Sequence, residues 1–329
     1  MTSKKITFID LFAGIGGFHL AFHNLGAKCV FVSEWDEPAR QTYEANFVGI
    51  EPELFTKENR DKLFVGDITK IDAKNVPDHD ILTGGFPCQP FSIIGAKAGF
   101  GHETQGTLFF DIERILKEKQ PKAFVLENVR NLTAHDKGKT FKIIIEHLKA
   151  LGYFVHYKVL NALDYGVPQK RERIIIVGFK QDVPFEFPKP VAQKDRKTIG
   201  DITEKGEVAE NYFVREEIRD RRQSKMLEKY KTEPKRPYIT HENVTGSITP
   251  HDYSCALRAG ASANYLLINN ERRPTERELL RVQGFPDWFK VVVSYSSVRK
   301  QTGNAVAVPV IEAVACEVLK SLKQFKGAE

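Results

Sequence analysis

Cys88 stands in the run Gly84-Gly85-Phe86-Pro87-Cys88-Gln89-Pro90-Phe91-Ser92, directly after the apolar segment Asp80-Ile81-Leu82-Thr83. The prolines on either side fix the backbone and remove amide donors, so the thiol is presented on a stiff turn. A thiolate held this way suits nucleophilic catalysis by covalent addition. Cys29 and Cys316 instead lie inside apolar runs, Lys28-Cys29-Val30-Phe31-Val32 and Ala315-Cys316-Glu317-Val318-Leu319, and read as packing residues. The bland alternative for a lone loop cysteine is an inert thiol.

A second constellation opens the chain. Phe8-Ile9-Asp10-Leu11-Phe12-Ala13-Gly14-Ile15-Gly16-Gly17-Phe18 reads as a strand, a glycine-rich turn and the start of a helix, which lets a nucleotide-like ligand approach the backbone. A plain tight turn is the competing explanation. The next strand ends at Glu34-Trp35, about 20 residues on, where an acid binds ribose hydroxyls, and the third ends near Asp67-Ile68. Two carboxylates and an aromatic plane on neighbouring strand ends suit an adenosine. The third glycine of the dinucleotide fingerprint is missing, which argues against a pyrophosphate and so against a nicotinamide-dependent oxidoreductase.

These groups need elements to position them. Strand-like apolar runs at residues 6–11, 30–33, 81–83, 123–126, 154–160 and 174–179 alternate with helical patterns. Such alternation predicts an α/β fold with a parallel sheet covered by helices on both faces. Pro184, Pro188 and Pro190 then break the pattern and a charged region follows, so residues 1–188 are expected to form one domain and 189–274 a second. Residues 214–231 form a helical pattern too polar for a core. Strand-like pieces return at 246–249 and 265–268, and a helix over 275–282 ends at Gly284, within a linking segment 275–299. Residues 305–322 are apolar at helical spacing, and 300–329 are expected to return to the first domain.

Length and composition bound the function classes. A chain of 329 residues is long enough for two domains. Four cysteines without Cys-x-x-Cys spacing, and nine histidines without His-Glu-x-x-His, predict neither a disulfide framework nor a metal. No apolar leader and no run of about 18 apolar residues is present, so a soluble, cytoplasmic protein is expected. Net charge is +6, and residues 189–240 hold 14 Lys/Arg against 10 Asp/Glu. A polyanionic partner and a solvated helix face explain that excess equally well.

Taken together with Glu127-Asn128-Val129, Gln169-Lys170-Arg171-Glu172-Arg173 and Gln301-Thr302-Gly303-Asn304-Ala305-Val306, the Cys88 motif resembles the DNA (cytosine-5)-methyltransferases of bacterial restriction-modification systems. The resemblance covers residues 6 to about 190 and 272 to about 320. It implies a Rossmann-like S-adenosylmethionine-dependent catalytic domain and a smaller target-recognition domain across a DNA-binding cleft. It implies Cys88 as nucleophile toward carbon 6 of cytosine, Glu127 as the group meeting ring nitrogen 3, and Arg171 and Arg173 as base-orienting groups. If the strand began at Arg171, the two arginines would share a face; a purely structural reading pairs them with Glu172 or Glu127.

The same resemblance places Asp10, Phe12, Ala13, Gly14, Gly16, Gly17, Glu34, Trp35, Asp67, Ile68, Pro87, Leu108, Asn304 and Ala305 around S-adenosylmethionine, whose product is S-adenosylhomocysteine. Trp35 is expected to stack on the adenine, a core tryptophan being the alternative. Ser92, Ile93, Ile94, Gln105, Arg258 and Gly260 are the expected DNA contacts, Arg258 being the candidate base reader. Against the family member it most resembles, Ile94 stands where serine is expected and Gln105 where arginine is expected, and Ala256-Leu257 stands where many members have Thr-Leu. The partners implied are double-stranded DNA and, functionally, a restriction endonuclease without a stable complex; a monomer without membrane contact is expected. An RNA (tRNA) methyltransferase of the same fold and a non-catalytic DNA-binding relative are the rival readings, the latter disfavoured because Cys88, Glu127 and both arginines are all present.

Overall fold

The computed structural model describes residues 5–87 and 108–325. Its strands are β1 (Thr7–Leu11), β2 (Lys28–Ser33), β3 (Phe64–Val65), β4 (Ile81–Gly85), β5 (Ala123–Val129), β6 (Phe154–Asn161), β7 (Gln169–Lys170), β8 (Glu172–Phe179), β9 (Ile239–Glu242), β10 (Ile248–His251), β11 (Ser254–Cys255) and β12 (Leu266–Ile268). The α-helices are α1 (Gly17–Asn24), α2 (Glu37–Phe47), α3 (Arg60–Leu63), α4 (Phe109–Lys119), α5 (Lys139–Ala150), α6 (Ile199–Ile202), α7 (Glu216–Tyr230), α8 (Glu276–Val282), α9 (Tyr295–Asn304) and α10 (Val308–Leu322). The chain divides into two compact units, one built from residues up to Leu160, Glu172–Pro188 and the chain from Ile311, the other from Asn161–Arg171 and Lys189–Val310.

The first unit holds a seven-stranded sheet in the order β3-β2-β1-β4-β5-β8-β6. β1, β4 and β5 are buried along nearly their whole length because both faces are covered. α4 buries Phe109, Ile112, Ile115 and Leu116, and α5 buries Phe141, Ile144, Ile145 and Leu148. That spacing is one helical stripe, and both stripes join the core around Leu82, Phe124 and Ile176. Pairing is parallel from β3 through β5, but β8 runs antiparallel to β5, with Glu127 opposite Ile175 and Val129 opposite Arg173. The sheet is therefore mixed, not all-parallel. Residues 162–171, which join β6 to its neighbour β8, are too few for the crossover that a parallel pair needs.

The second unit centres on β9, flanked by antiparallel β10 and β12. One face packs Ile239, Leu266 and Ile268 against Leu257, Leu279, Val282 and Val298. The other carries Tyr238 and Ile248 against Met226 of α7. The polarity of α7 predicts a helix without a core role, yet Arg222 is fully buried. Its guanidinium donates to the Thr240 carbonyl at 3.1 Å, the Thr240 hydroxyl at 2.8 Å and the Asn264 carbonyl. Every polar atom so paired offsets its desolvation, which is how a charged residue enters a core. α9 lies partly inside the segment read as a linker and is capped by the Ser294 side chain.

Candidate active site

The carboxyl ends of β1 to β5 meet on one edge of the first sheet, where ligands bind in folds of this class. β1 runs into Phe12, which has φ 55° although it is not glycine, a conformation that costs roughly 1–3 kcal/mol and is held only by its surroundings. Gly14 and Gly16 follow with φ of 56° and 85°. A Cβ at Gly16 would stand 2.3 Å from the Phe47 ring, so glycine here also lets α1 approach α2. A Cβ at Gly14 would meet nothing within 4 Å, leaving open space over the turn. Ala13 and Gly17 are buried, and Phe12 is half-buried.

Glu34, at the end of β2, is nearly buried and accepts the Gly14 N–H at 2.7 Å on one carboxylate oxygen and the Asp36 N–H at 2.8 Å on the other. Burial raises its pKa, and those N–H donors oppose the shift. A carboxylate has about four acceptor sites, so Glu34 can still accept a ligand hydroxyl beside its N–H donors. Trp35 beside it is 80% exposed, which excludes the core reading of this tryptophan. Asp67 is half-buried and caps the following turn through Thr69, while Ile68 is buried. Arg40 was not anticipated from the sequence: it donates to the carbonyls of Glu34 (3.1 Å), Val65 (2.7 Å) and Phe64 (3.2 Å), tying the ends of β2 and β3 together. Asp10 is wholly buried, 3.2 Å from the Thr83 hydroxyl, and burial pushes its carboxyl well above the usual range.

At the ends of β4 and β5, Gly85 pairs with Glu127. Glu127 is nearly buried and lies 2.8 Å from Arg173 Nε, so the two are paired in the free protein. Glu172 is taken instead by Arg130 at 2.8 Å. Asn128 donates to the Phe86 carbonyl at 2.8 Å, and its own side-chain oxygen accepts the Val129 N–H at 2.8 Å. This amide fastens the turn that leads to exposed Pro87 onto β5, a role its place beside Glu127 in the sequence only hinted at. Leu108 is half-buried ahead of α4. Cys88, Ser92, Ile93, Ile94 and Gln105 lie outside the described residues.

For Arg171 the condition for sharing a strand face is not met. It precedes β8, which begins at Glu172, and belongs to the second unit, so it does not share a strand face with Arg173. It is 3% exposed and donates to the carbonyls of Leu257 (3.1 Å), Gly303 (3.1 Å) and Ala305 (2.8 Å). Also in the second unit, Asn304 is exposed and Ala305 buried; Arg258 is exposed with its guanidinium over the Tyr265 ring at 5.1 Å, and Gly260 is exposed. Gln283 escaped the sequence reading. It is fully buried, and the only hint was a polar residue closing the apolar end of α8 just before Gly284.

A model of C-5 cytosine-specific DNA methylases matches residues 6–320, the span that holds both the strand-end site and the buried arginine cluster. The chain belongs to this family. It is a DNA (cytosine-5)-methyltransferase, which sets the oxidoreductase reading aside. It is 54% identical over 306 residues to the type II methyltransferase M.NgoBI of Neisseria gonorrhoeae, covering 93% of this chain and 90% of that protein. Motif for motif it looks like the HhaI methyltransferase, and M.HhaI of Haemophilus parahaemolyticus is 39% identical, covering 97% of each chain. The methylase fold recurs in the crystal structure of S. pombe Dnmt2 methyltransferase, with a TM-score of 0.69 at 20% identity, covering 98% of this chain and all of that one. Among the described residues no methylase helix is long and apolar enough to cross a membrane, and no group of three or more His, Cys, Asp or Glu side chains is placed to hold a metal.

Proposed function

We propose that this methyltransferase uses S-adenosylmethionine to methylate carbon 5 of a flipped-out cytosine within a short double-stranded DNA sequence, through a covalent Cys88 adduct. The observation that carries the reading is the Glu127–Arg173 pair at 2.8 Å on β5 and β8, next to the Asn128-held turn that leads to Cys88. Carbon 5 of cytosine is a poor nucleophile. Addition of the Cys88 thiolate to carbon 6 pushes an electron pair through carbon 5 toward ring nitrogen 3. Glu127 protonates or hydrogen-bonds that nitrogen and grips the exocyclic amino group, while Arg173 holds the carboxyl in place. Once the methyl group is on carbon 5, a base takes the carbon 5 proton, the carbon 5–carbon 6 double bond reforms and the thiolate leaves; a bound water fills the role of base.

The strand-end residues fit the cofactor. The open space over Gly14, the exposed Trp35 plane and the Glu34 carboxylate would hold an adenosine, with Phe12, Asp67, Ile68, Pro87 and Leu108 around it; Asn304 and Ala305 are assigned to the cofactor by the family resemblance alone. When bound, S-adenosylmethionine supplies an electrophilic methyl group and leaves as S-adenosylhomocysteine. A cytosine inside a duplex is unreachable, so the base is extruded, with Ile93 or Ile94 wedging into the vacated space and Ser92 and Gln105 contacting the DNA. Arg258 and Gly260 lie on the loop that reads the major groove, where Arg pairs with guanine.

The enzyme acts as a cytoplasmic monomer and protects host DNA from a restriction endonuclease with which it forms no stable complex. A DNA substrate is favoured over RNA by the family match and by the type II methyltransferase relatives. The test is base-resolution mapping of 5-methylcytosine in a methylation-free host that expresses the wild type or Cys88→Ala. Methyl marks at one short motif, with the wild type only, are expected. Marks that persist in the variant would sink the covalent mechanism, and blank maps from both would sink the DNA substrate.

A further inference from the structure

The second unit contains a buried polar cluster of which only Arg171 was given a part, as a base-orienting group, by the family resemblance. Arg171, Gln169 and Gln283 are all essentially excluded from solvent. Gln169 donates to the Val282 carbonyl at 3.1 Å and to the Gln283 side-chain oxygen at 3.0 Å, and its own oxygen accepts the Leu257 N–H at 3.0 Å. Gln283 in turn donates to the carbonyls of Thr302 and Ala305. Leu257 is therefore held at both its N–H, by Gln169, and its carbonyl, by Arg171, while the same two side chains reach α8 and the end of α9. Leu257 is the residue directly before Arg258.

A second contact fixes the same loop from the other side. A Cβ on Gly303 would stand 2.3 Å from Ala259 N and 2.7 Å from the Arg258 carbonyl carbon. The backbone of residues 258–259 lies directly against α9, and only glycine allows it. A guanidinium suits this place because its planar fork supplies several donors at fixed angles, which a lysine ammonium cannot reproduce.

We propose that Arg171, supported by Gln169 and Gln283, is a positioning residue for DNA sequence selection: it sets the loop from Leu257 to Gly260 at a fixed height on α9 and so aims Arg258. The inference rests on the reading of that loop as the base reader. Readout by a bidentate arginine needs the loop placed to a fraction of an ångström, so loosening its seat costs discrimination between sites before it costs turnover at the right one.

The experiment measures methylation of the preferred motif and of its single-base variants, at base resolution, by the full chain carrying Arg171→Lys, Gly303→Ala, both together, or Arg258→Ala. Arg171→Lys and Gly303→Ala are each expected to lower discrimination by about tenfold or more, the worth of one good base contact. The double variant is expected to lose no more than the worse single one, because both act through the same loop. Uniform slowing at every site with discrimination intact would overturn the proposal and return Arg171 to direct action on the base. If Arg171→Lys does not fold, Gly303→Ala decides alone, since it removes no polar group; intact discrimination in that variant overturns the proposal. Arg258→Ala separates the two levels. If it relaxes site choice while the seat variants do not, only the role of Arg171 falls; if it leaves site choice unchanged, the loop is not the reader and both fall.

Discussion

Glu34 and Trp35 are adjacent residues with opposite environments, and that contrast states what each would do for a ligand. The indole is left in solvent, and the carboxylate is buried and held by the Gly14 and Asp36 N–H groups. Trp35→Ala should weaken S-adenosylhomocysteine binding by about tenfold or more, as loss of one aromatic–base stack does, measured by calorimetry. Glu34 is raised above the ordinary glutamate value of 4.5 by burial, against the pull of the Asp36 and Gly14 N–H groups. Its ionised form accepts hydroxyl protons, so affinity should fall as pH is lowered, starting above pH 4.5, and Glu34→Gln should bind more weakly with a flat profile over that range. An acid limb at or below pH 4.5 in the wild type would contradict this. At this scale the sequence marked candidate residues and not the partners they take. Arg171 and Arg173 are two residues apart and look equivalent in the motif; one faces a carboxylate and the other three backbone carbonyls. Nothing in a string of letters reveals which carbonyls will need a donor.

The elements of the first unit were legible because burial on both faces forces continuous apolar runs, and helices between them show one stripe. What stayed hidden was the direction of β8, which depends on the length of a connection rather than on the strand itself, and, in the second unit, β9 and α9, whereas β10, β12 and α8 fall where strand-like and helical patterns were expected. β9 reads Ile-Thr-His-Glu, with no apolar run to mark it, yet it is the central strand of its sheet. α9 is mostly polar, with Val298, Gln301, Thr302 and Gly303 as its buried positions. The glycine turn gives the sharpest prediction at this scale. Gly16→Ala puts a Cβ 2.3 Å from Phe47 at a φ of 85° that alanine adopts poorly, so α1 must move away from α2. A loss of about 1–3 kcal/mol of stability is expected, read as a lower urea midpoint, with weaker S-adenosylhomocysteine binding alongside it. A variant as stable as the wild type would mean that Phe47 swings aside freely.

For the whole molecule, the basic excess in residues 189–240 is weaker evidence for a polyanionic partner than its count suggests. Arg221 is bidentate to Glu242, Arg236 bridges Glu233 and Glu271, and Arg222 is buried. Several of the charges are thus committed to holding the second unit together. Another such commitment is the buried pair of Arg272 and Glu278, two contacts of 2.7 Å, in which Glu278 also completes the cap of α8 with Thr275. Glu278→Ala leaves the arginine buried without its carboxylate and should cost about 3–5 kcal/mol, visible as a lower thermal midpoint. A change under about 1 kcal/mol would place that pair with exposed ones.

The division of the chain also bears on any attempt to transplant this part of the protein. Residues 189–310 are an uninterrupted stretch and look like a natural cassette, but the side chains that grip its backbone, Gln169 and Arg171, come from the short excursion at 161–171 upstream of β8. A chimaera spliced at residue 189 would import a foreign loop and leave the resident clasp to fit carbonyls it was not shaped for. The exchangeable piece is discontinuous, and its smaller fragment is the one that holds the larger in register.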